Sequence, residues 1–141
     1  MLSFRVLVVD DEEEFVETIV KRLKDRGLTA AGVTSGTQAL DLMQAQDFDV
    51  VILDVKMPGM DGIETLREMK KRKPLMEVIM LTGHGSVESG IQGLQLGAYN
   101  YVMKPVPLDE LLAQMTQAYE RKLIEEERQL KVEADGTART L

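Results

Sequence analysis

The chain contains no cysteine, which excludes a disulfide, a thiolate metal site and a cysteine nucleophile. It also lacks any apolar run of the roughly 20 residues that a membrane helix needs. The Val/Leu run near the N-terminus is too short for the core of a signal peptide. We therefore expect a cytoplasmic protein without a membrane segment.

Basic residues are few relative to acidic ones. The sequence has 17 Lys and Arg against 24 Asp and Glu, a formal net charge of −7. Sequence-independent binding of nucleic acid requires clustered Lys and Arg that displace counterions, so we expect no direct nucleic-acid binding by this chain.

The length of 141 residues, with 44% hydrophobic residues, suits a single domain with a real core.

Five short apolar runs alternate with segments of helical periodicity. The runs lie at 5–10, 28–33, 49–54, 76–82 and 99–103. Three of them are rich in Val and Ile, which is typical of strands buried on both faces. Between the runs, apolar residues recur at helical spacing, as at Phe15, Ile19 and Leu23. The alternation predicts an α/β fold in one domain, with a doubly wound, five-stranded parallel sheet of the flavodoxin-like type.

Helix-capping residues and the distribution of charge mark further boundaries in the chain. Gly27 and Gly97 suit helix C-caps, and Ser35 and Asp61 have N-cap spacing, while Pro107 suits the first turn of the last helix. After about residue 121 the sequence becomes polar and charged, so we predict a folded unit at 1–121 and a charged tail at 122–141. A helix reaching about residue 132 is plausible, but a frayed, solvated end is slightly favoured.

Reactive side chains follow the predicted strands. Ligands of open parallel sheets bind beyond the carboxyl ends of the strands, where Asp10, Asp11, Asp54, Thr82 and Lys104 would meet. Three clustered carboxylates need a cation, and an all-oxygen set suits Mg²⁺ better than zinc. A lysine and a hydroxyl would complete a site for a phosphoryl group. Carboxylates are known to form aspartyl phosphates, and the central Asp54 is the predicted acceptor.

These residues stand in motifs. The run VVILDVKMPGMDGIETL at 50–66, the Asp pair after VLVV, Thr82-Gly83 after VIML, and YVMKP at 101–105 together resemble the CheY-like receiver domains of two-component response regulators. The resemblance covers roughly residues 4–121. It implies that Asp11 and Asp54 bind Mg²⁺ directly with the backbone carbonyl of Lys56, and that Asp10 acts through water.

The resemblance also implies roles on the phosphoryl side of the site. Thr82 and Lys104 would contact phosphoryl oxygens, Tyr101 would change rotamer with phosphorylation, and the Lys104–Pro105 bond would be cis. A sensor histidine kinase or phosphotransfer protein would be the donor, and a downstream protein or output domain the receiver of the signal. The domain would be a monomer or weak homodimer that catalyses only its own phosphotransfer and slow autodephosphorylation, rather than a conventional enzyme.

The fourth helix is predicted to be the moving element. Gly90 and Gly93 each cost up to about 1 kcal/mol against alanine, and Val87, Ile91 and Leu94 would form the narrow apolar stripe that holds the helix down. Replacing both glycines by alanine would then stabilise the helix by up to about 2 kcal/mol. The alternative is that the glycines permit close packing against the neighbouring helix. Signalling would run through this helix, the fifth strand and the fifth helix.

Three other interpretations compete with a signalling switch. A phosphohydrolase of the haloacid-dehalogenase type needs a second carboxylate two residues after the nucleophile, where this chain has Lys56. A flavodoxin-like electron carrier needs a phosphate loop after the first strand, where DDEEE would repel phosphate. The chain could also be the receiver portion of a longer transcription factor. His84 is interpreted as a solvated loop residue, with a role in modulating water attack as the alternative.

Overall fold

The structure, a computed structural model, describes residues 3–57, 61–83 and 87–140, with the backbone alone for 136–140. In these ranges five strands alternate with five helices, and each strand lies within one residue of its predicted bounds. The elements are β1 Arg5–Val9, α1 Glu13–Asp25, β2 Thr29–Val33, α2 Gly36–Ala45, β3 Val50–Leu53, α3 Gly62–Arg72, β4 Glu77–Thr82, α4 Val87–Gln95, β5 Asn100–Met103 and α5 Leu108–Thr140.

The five strands form one parallel sheet in the order β2-β1-β3-β4-β5. The predicted doubly wound α/β fold is therefore confirmed. The chain reverses its direction of progress across the sheet between β1 and β3, which is the switch point where such sheets bind ligands. The register pairs Val9 with Leu53, so the residues that follow these two strands, Asp10 and Asp54, leave the sheet side by side.

Alternate residues of the strands pack into two hydrophobic cores, one on each face of the sheet. Leu7, Val51 and Met80 point into a cluster completed by α2 and α3. Val8 and Ile52 point into the opposite cluster, completed by α1 and α5. Because both faces are covered, the strands are apolar almost throughout, as expected for parallel sheets.

The predicted caps are confirmed. The backbone N–H of Gln38 donates to Ser35 Oγ at 3.2 Å, and that of Glu64 donates to Asp61 Oδ1 at 2.8 Å. Gly27 has φ of 86°, a left-handed conformation that favours glycine at a helix end. Pro107 lies just before α5, where its carbonyl accepts from the N–H of Leu111, rather than within the first turn.

Helix α4 packs by a different face than the sequence predicts. The side chains of Val87, Ile91 and Leu94 are 80%, 53% and 49% exposed, whereas Gly90 and Gly93 are buried. The prediction that the apolar stripe holds the helix down is therefore wrong. The face without side chains lies against the sheet because it allows the closest approach of the helix backbone.

The two glycines contact mainly the strands, and Gly93 also approaches Leu66 of the neighbouring helix α3. A Cβ on Gly93 would overlap the sulfur of Met80, and a Cβ on Gly90 would lie 3.3 Å from the ring of Tyr101. The structure thus supports the alternative of close packing, against β4 and β5 as well as against the neighbouring helix α3.

Helix α5 continues through the charged tail as a helix of 33 residues, instead of the slightly favoured frayed end. Its length is about 50 Å at 1.5 Å per residue. Two side chains at the junction between the predicted folded unit and the tail anchor it to the base of the sheet: Arg121 pairs with buried Glu77, and Lys122 Nζ lies 2.9 Å from Asp49 Oδ1. Among the described residues, no helix has the length and apolar character needed to cross a membrane.

Candidate functional site

Three carboxylates meet at the carboxyl ends of β1 and β3. Ligand oxygens of Asp10, Asp11 and Asp54 all lie within 4.8 Å of one another. The backbone holds them there, since the N–H of Asp54 donates to the carbonyl of Val9 at 2.9 Å, across the strand pair. Asp10 and Asp54 are buried and Asp11 is exposed. The cluster therefore opens to solvent on the side of Asp11.

The environment of Asp54 disfavours its charged form. Burial raises the pKa of its carboxyl above the ordinary value, and the nearby charge of Asp10 raises this pKa further. A hydrogen bond from Thr82, the charge of Lys104 and the N–H of Lys56 act in the opposite direction. That N–H lies 3.4 Å from Asp54 Oδ1. A cation added to this cluster would relieve the repulsion.

Lys104 faces the carboxylates from β5. Its Nζ lies 2.6 Å from Asp10 Oδ2, 4.0 Å from Glu12 Oε1, and 4.0 Å from the ring centroid of Phe15. The backbone positions the residue, because the N–H of Lys104 donates to the carbonyl of Thr82 at 2.8 Å. The Lys104–Pro105 bond is cis, as expected.

Thr82 and Tyr101 occupy different places around the site. Thr82 is fully buried at the end of β4 and hydrogen bonds with Asp54. Tyr101 lies on β5 opposite Met80, with its half-buried ring against Gly90 of α4. The structure thus brings Thr82 to the carboxylates and places Tyr101 between the sheet and α4.

An open cleft of about 860 Å³ leads to Asp54. Its walls include Asp11, Asp54 and Lys56 on one side and Arg67, Ser89 and Gln92 from α3 and α4 on the other. This opening connects Asp54 to solvent. His84 and the Pro58-Gly59 pair after Met57 lie outside the described residues.

Sequence reasoning missed two residues beside the site. Gly62 lies so close to β3 that a Cβ there would overlap the backbone oxygen of Asp54, and its place within the MDGIETL run was an available signal. Phe15 was assigned only to the apolar face of α1. Its contact with Lys104 joins residues 89 positions apart, and no local pattern reveals such a contact.

The profile of the family described as "Response regulator receiver domain" matches residues 6–116. This chain belongs to that family. The NtrX-like response regulator of Rickettsia conorii is 39% identical over 122 residues, which cover 85% of this chain and 26% of that protein. The transcriptional regulatory protein ZraR of Escherichia coli is also 39% identical, over 80% of this chain and 26% of that protein.

Solved receiver domains share the fold. A response regulator receiver domain from Clostridium thermocellum superimposes with a TM-score of 0.81 at 36% identity, covering 86% of this chain and 98% of that one. The receiver domain therefore spans about a quarter of the length of the curated relatives and nearly all of this solved domain. Phosphoryl acceptance is the general function of the family, and its members generally use Mg²⁺.

Proposed function

We propose that this receiver domain accepts a phosphoryl group on Asp54 from a sensor histidine kinase or phosphotransfer protein, in a reaction that requires Mg²⁺. The observation that carries the proposal is the position of Asp54, buried among two carboxylates, a hydroxyl and a lysine. The donor group is a phosphorylated histidine of the kinase or phosphotransfer protein. A carboxylate oxygen of Asp54 attacks its phosphorus, and the bond from phosphorus to the imidazole nitrogen breaks. The imidazole leaves with a proton from solvent.

The carboxylate side of the site fits Mg²⁺. Its donors are all oxygens, and they lie close enough to share one cation. Asp11, Asp54 and the carbonyl of Lys56 would hold the ion, with Asp10 acting through water. The ion would supply positive charge for the phosphoryl oxygens.

Two residues serve the phosphoryl group itself. Lys104 neutralises an equatorial oxygen after its ammonium leaves Asp10, and Thr82 turns its hydroxyl from Asp54 to a phosphoryl oxygen. Both lie close enough to respond without a rearrangement of the sheet, since each already interacts with the carboxylate cluster.

The output surface is the face formed by α4, β5 and α5. The movement of Thr82 vacates space toward Tyr101, whose ring packs against Gly90 of α4. Outside this contact, α4 and β5 expose Val87, Ile91 and Met103 around a shallow groove. Exposed apolar side chains in one patch favour a protein partner or output domain.

Several further predictions belong to this function. The unit at 1–121 would carry the phosphoacceptor activity, and the tail at 122–141 would be an extension of it. The domain would be a monomer or weak homodimer, would bind no nucleic acid itself, and would catalyse only its own phosphotransfer and slow autodephosphorylation. The cytoplasmic location stays a prediction.

Intact-mass analysis tests the acceptor. Incubation of the chain with acetyl phosphate and Mg²⁺ should add one phosphate, and Asp54→Asn or EDTA should abolish the adduct. Asp61→Asn is a matched control, because it alters an exposed N-cap carboxylate on the rim of the same cleft. A full-level adduct in Asp54→Asn, or one that forms equally well in EDTA, would refute the assignment.

Amide exchange tests the output surface. Beryllofluoride, which mimics the phosphoryl group, should change exchange over residues 87–103 in the wild type. It should leave α2 unaffected, because α2 packs near β1 and β2, at the edge of the sheet opposite to β5. An unchanged 87–103 segment in protein shown to bind beryllofluoride would refute the route through α4 and β5.

A further inference from the structure

The ring of Phe15 lies against the ammonium of Lys104. The Nζ atom is 4.0 Å from the ring centroid, well within the roughly 6 Å at which a cation over a ring face is attracted by its quadrupole. Phe15 belongs to the first turn of α1, and its side chain is half-buried. The contact joins α1 to the end of β5 at the edge of the phosphoryl site.

The groups around the Lys104 side chain differ in charge and polarity from one side to another. Asp10 accepts a hydrogen bond from its Nζ on one side, and the exposed carboxylate of Glu12 lies 4.0 Å away. On another side stands Gly83, where a Cβ would lie 3.9 Å from Lys104 Cδ. Because Gly83 has no side chain, it makes no side-chain contact with the aliphatic part of Lys104. The ring of Phe15 supplies an apolar wall that Gly83 does not.

We infer that Phe15 is a positioning residue for phosphorylation, holding the Lys104 ammonium beside the carboxylate cluster through its ring face. The inference rests on the proposed function of Asp54 and Lys104, and it adds a residue to that site. The ring acts only through the lysine and touches no reacting atom.

An aromatic ring suits this task chemically. Its face attracts a cation and excludes water, yet it carries no net charge and no carboxylate lone pairs. A further carboxylate at this place, beside Asp10 and Glu12, would bind the ammonium more tightly, but it would also repel the phosphoryl group and compete with it for the N–H donors. The ring therefore keeps the lysine in place while leaving those donors available for phosphoryl oxygens.

Phe15 also has a packing role that any test must separate. It lines an apolar pocket of about 360 Å³ together with Ile19, Leu108 and Leu111, next to the core between the sheet, α1 and α5. Leucine or another apolar side chain could fill that space. Packing alone predicts a change in stability that does not depend on Lys104, whereas positioning predicts a change in phosphoryl-mimic affinity that does.

The experiment measures the affinity of the full chain for beryllofluoride in saturating Mg²⁺ by calorimetry. Phe15→Leu should weaken binding about fivefold, which corresponds to a moderate cation–π interaction. Phe15→Tyr retains the ring and should bind within about twofold of wild type. Ile19→Val is the matched control, since it trims a half-buried side chain of the same pocket one turn along α1, and it should bind like wild type.

Two further measurements distinguish the ring face from packing. Site-specific replacement of Phe15 by pentafluorophenylalanine keeps the ring but reverses the charge of its face, so it should weaken binding at least as much as leucine. In a Lys104→Ala background, Phe15→Leu should cause no additional loss. The fluorinated variant also serves if Phe15→Leu does not fold.

The outcomes are distinguishable. Wild-type affinity in the fluorinated variant, or an equal loss from Phe15→Leu with and without Lys104, would overturn the inference while leaving the acceptor assignment intact. A wild-type chain that binds no beryllofluoride in Mg²⁺ would instead overturn the proposed function, and this inference with it.

Discussion

Replacing Gly93 by alanine is the sharpest test of how α4 packs. Judged by helix propensity alone, the change should stabilise the protein by up to about 1 kcal/mol. The structure predicts the opposite sign. A Cβ at this position would approach the Met80 sulfur much more closely than the 3.0 Å that real Cβ contacts respect, and it would lie 3.9 Å from Leu66 Cδ2. Met80 is flexible, but Met80 and Leu66 are fully buried, so the sulfur can move only if the surrounding core repacks.

The magnitude follows from two opposing contributions. Overpacking a close-packed core costs about 1–3 kcal/mol, and the gain in propensity offsets up to about 1 kcal/mol of this. We therefore expect Gly93→Ala to lower the free energy of unfolding by about 1 kcal/mol, and the melting temperature by about 3–5 °C for a chain of this size. For Gly93, this prediction has the opposite sign to the expectation that alanine at both glycines would stabilise the helix.

Urea unfolding followed by circular dichroism measures the effect, with two controls. Gly90→Ala should remain within about 0.5 kcal/mol of wild type, because its Cβ would lie 3.3 Å from a half-buried Tyr101 ring that can yield slightly. In a Met80→Val background, which lacks the sulfur and its methyl group, Gly93→Ala should be neutral or stabilising. A Gly93→Ala protein that is more stable than wild type with Met80 present would refute the packing argument.

Three further predictions concern charge. Mg²⁺ at 100 times its dissociation constant should stabilise the wild type by about 2.7 kcal/mol in thermal melts, and Asp11→Ala should remove most of this gain; an equal gain in both proteins would place the ion elsewhere. Because the folded-state pKa of Asp54 is raised, its ionised form weakens the fold. In EDTA, wild type and Asp54→Asn should therefore be similar in stability below the ordinary Asp pKa, and wild type should become the less stable as pH rises through the folded-state pKa. Denaturant titrations at several pH values measure this, and a difference in unfolding free energy between the two proteins that does not change with pH would contradict it. Glu77→Gln should cost about 1–3 kcal/mol, since it leaves half-exposed Arg121 without its buried partner, and should reduce amide protection in α5 beyond residue 121; Asp47→Asn, which alters an exposed ion pair, should do neither.

The sheet and most of the candidate site could be predicted from sequence because both depend on local patterns. Each buried strand is a short apolar run, and alternation with helices leaves a parallel sheet as the expected arrangement. In such a sheet all carboxyl ends meet at one edge. Asp10, Asp54, Thr82 and Lys104 stand at the carboxyl ends of four different strands, so their proximity is a consequence of topology that does not require any contact to be known.

The packing of α4 could not be predicted in the same way. Periodicity finds the apolar face of a helix, and it assumes that this face is buried. In α4, backbone approach to Met80 and Tyr101 decides the orientation, and the face that allows it is the one with glycines. The side chains of Ile91 and its apolar neighbours are consequently exposed to solvent. Only the folded structure shows that they form a surface patch.

Long-range contacts of charged side chains also needed the tertiary structure. The sequence alone determined that Lys104 would reach the carboxylate edge, because its strand ends there. It did not determine that the Phe15 ring would lie against the ammonium, or that Arg121 would reach Glu77 at the base of the sheet and carry α5 onward as a helix. Such contacts depend on how whole elements are oriented across 44 or more positions of chain, and only the packed fold decides that orientation.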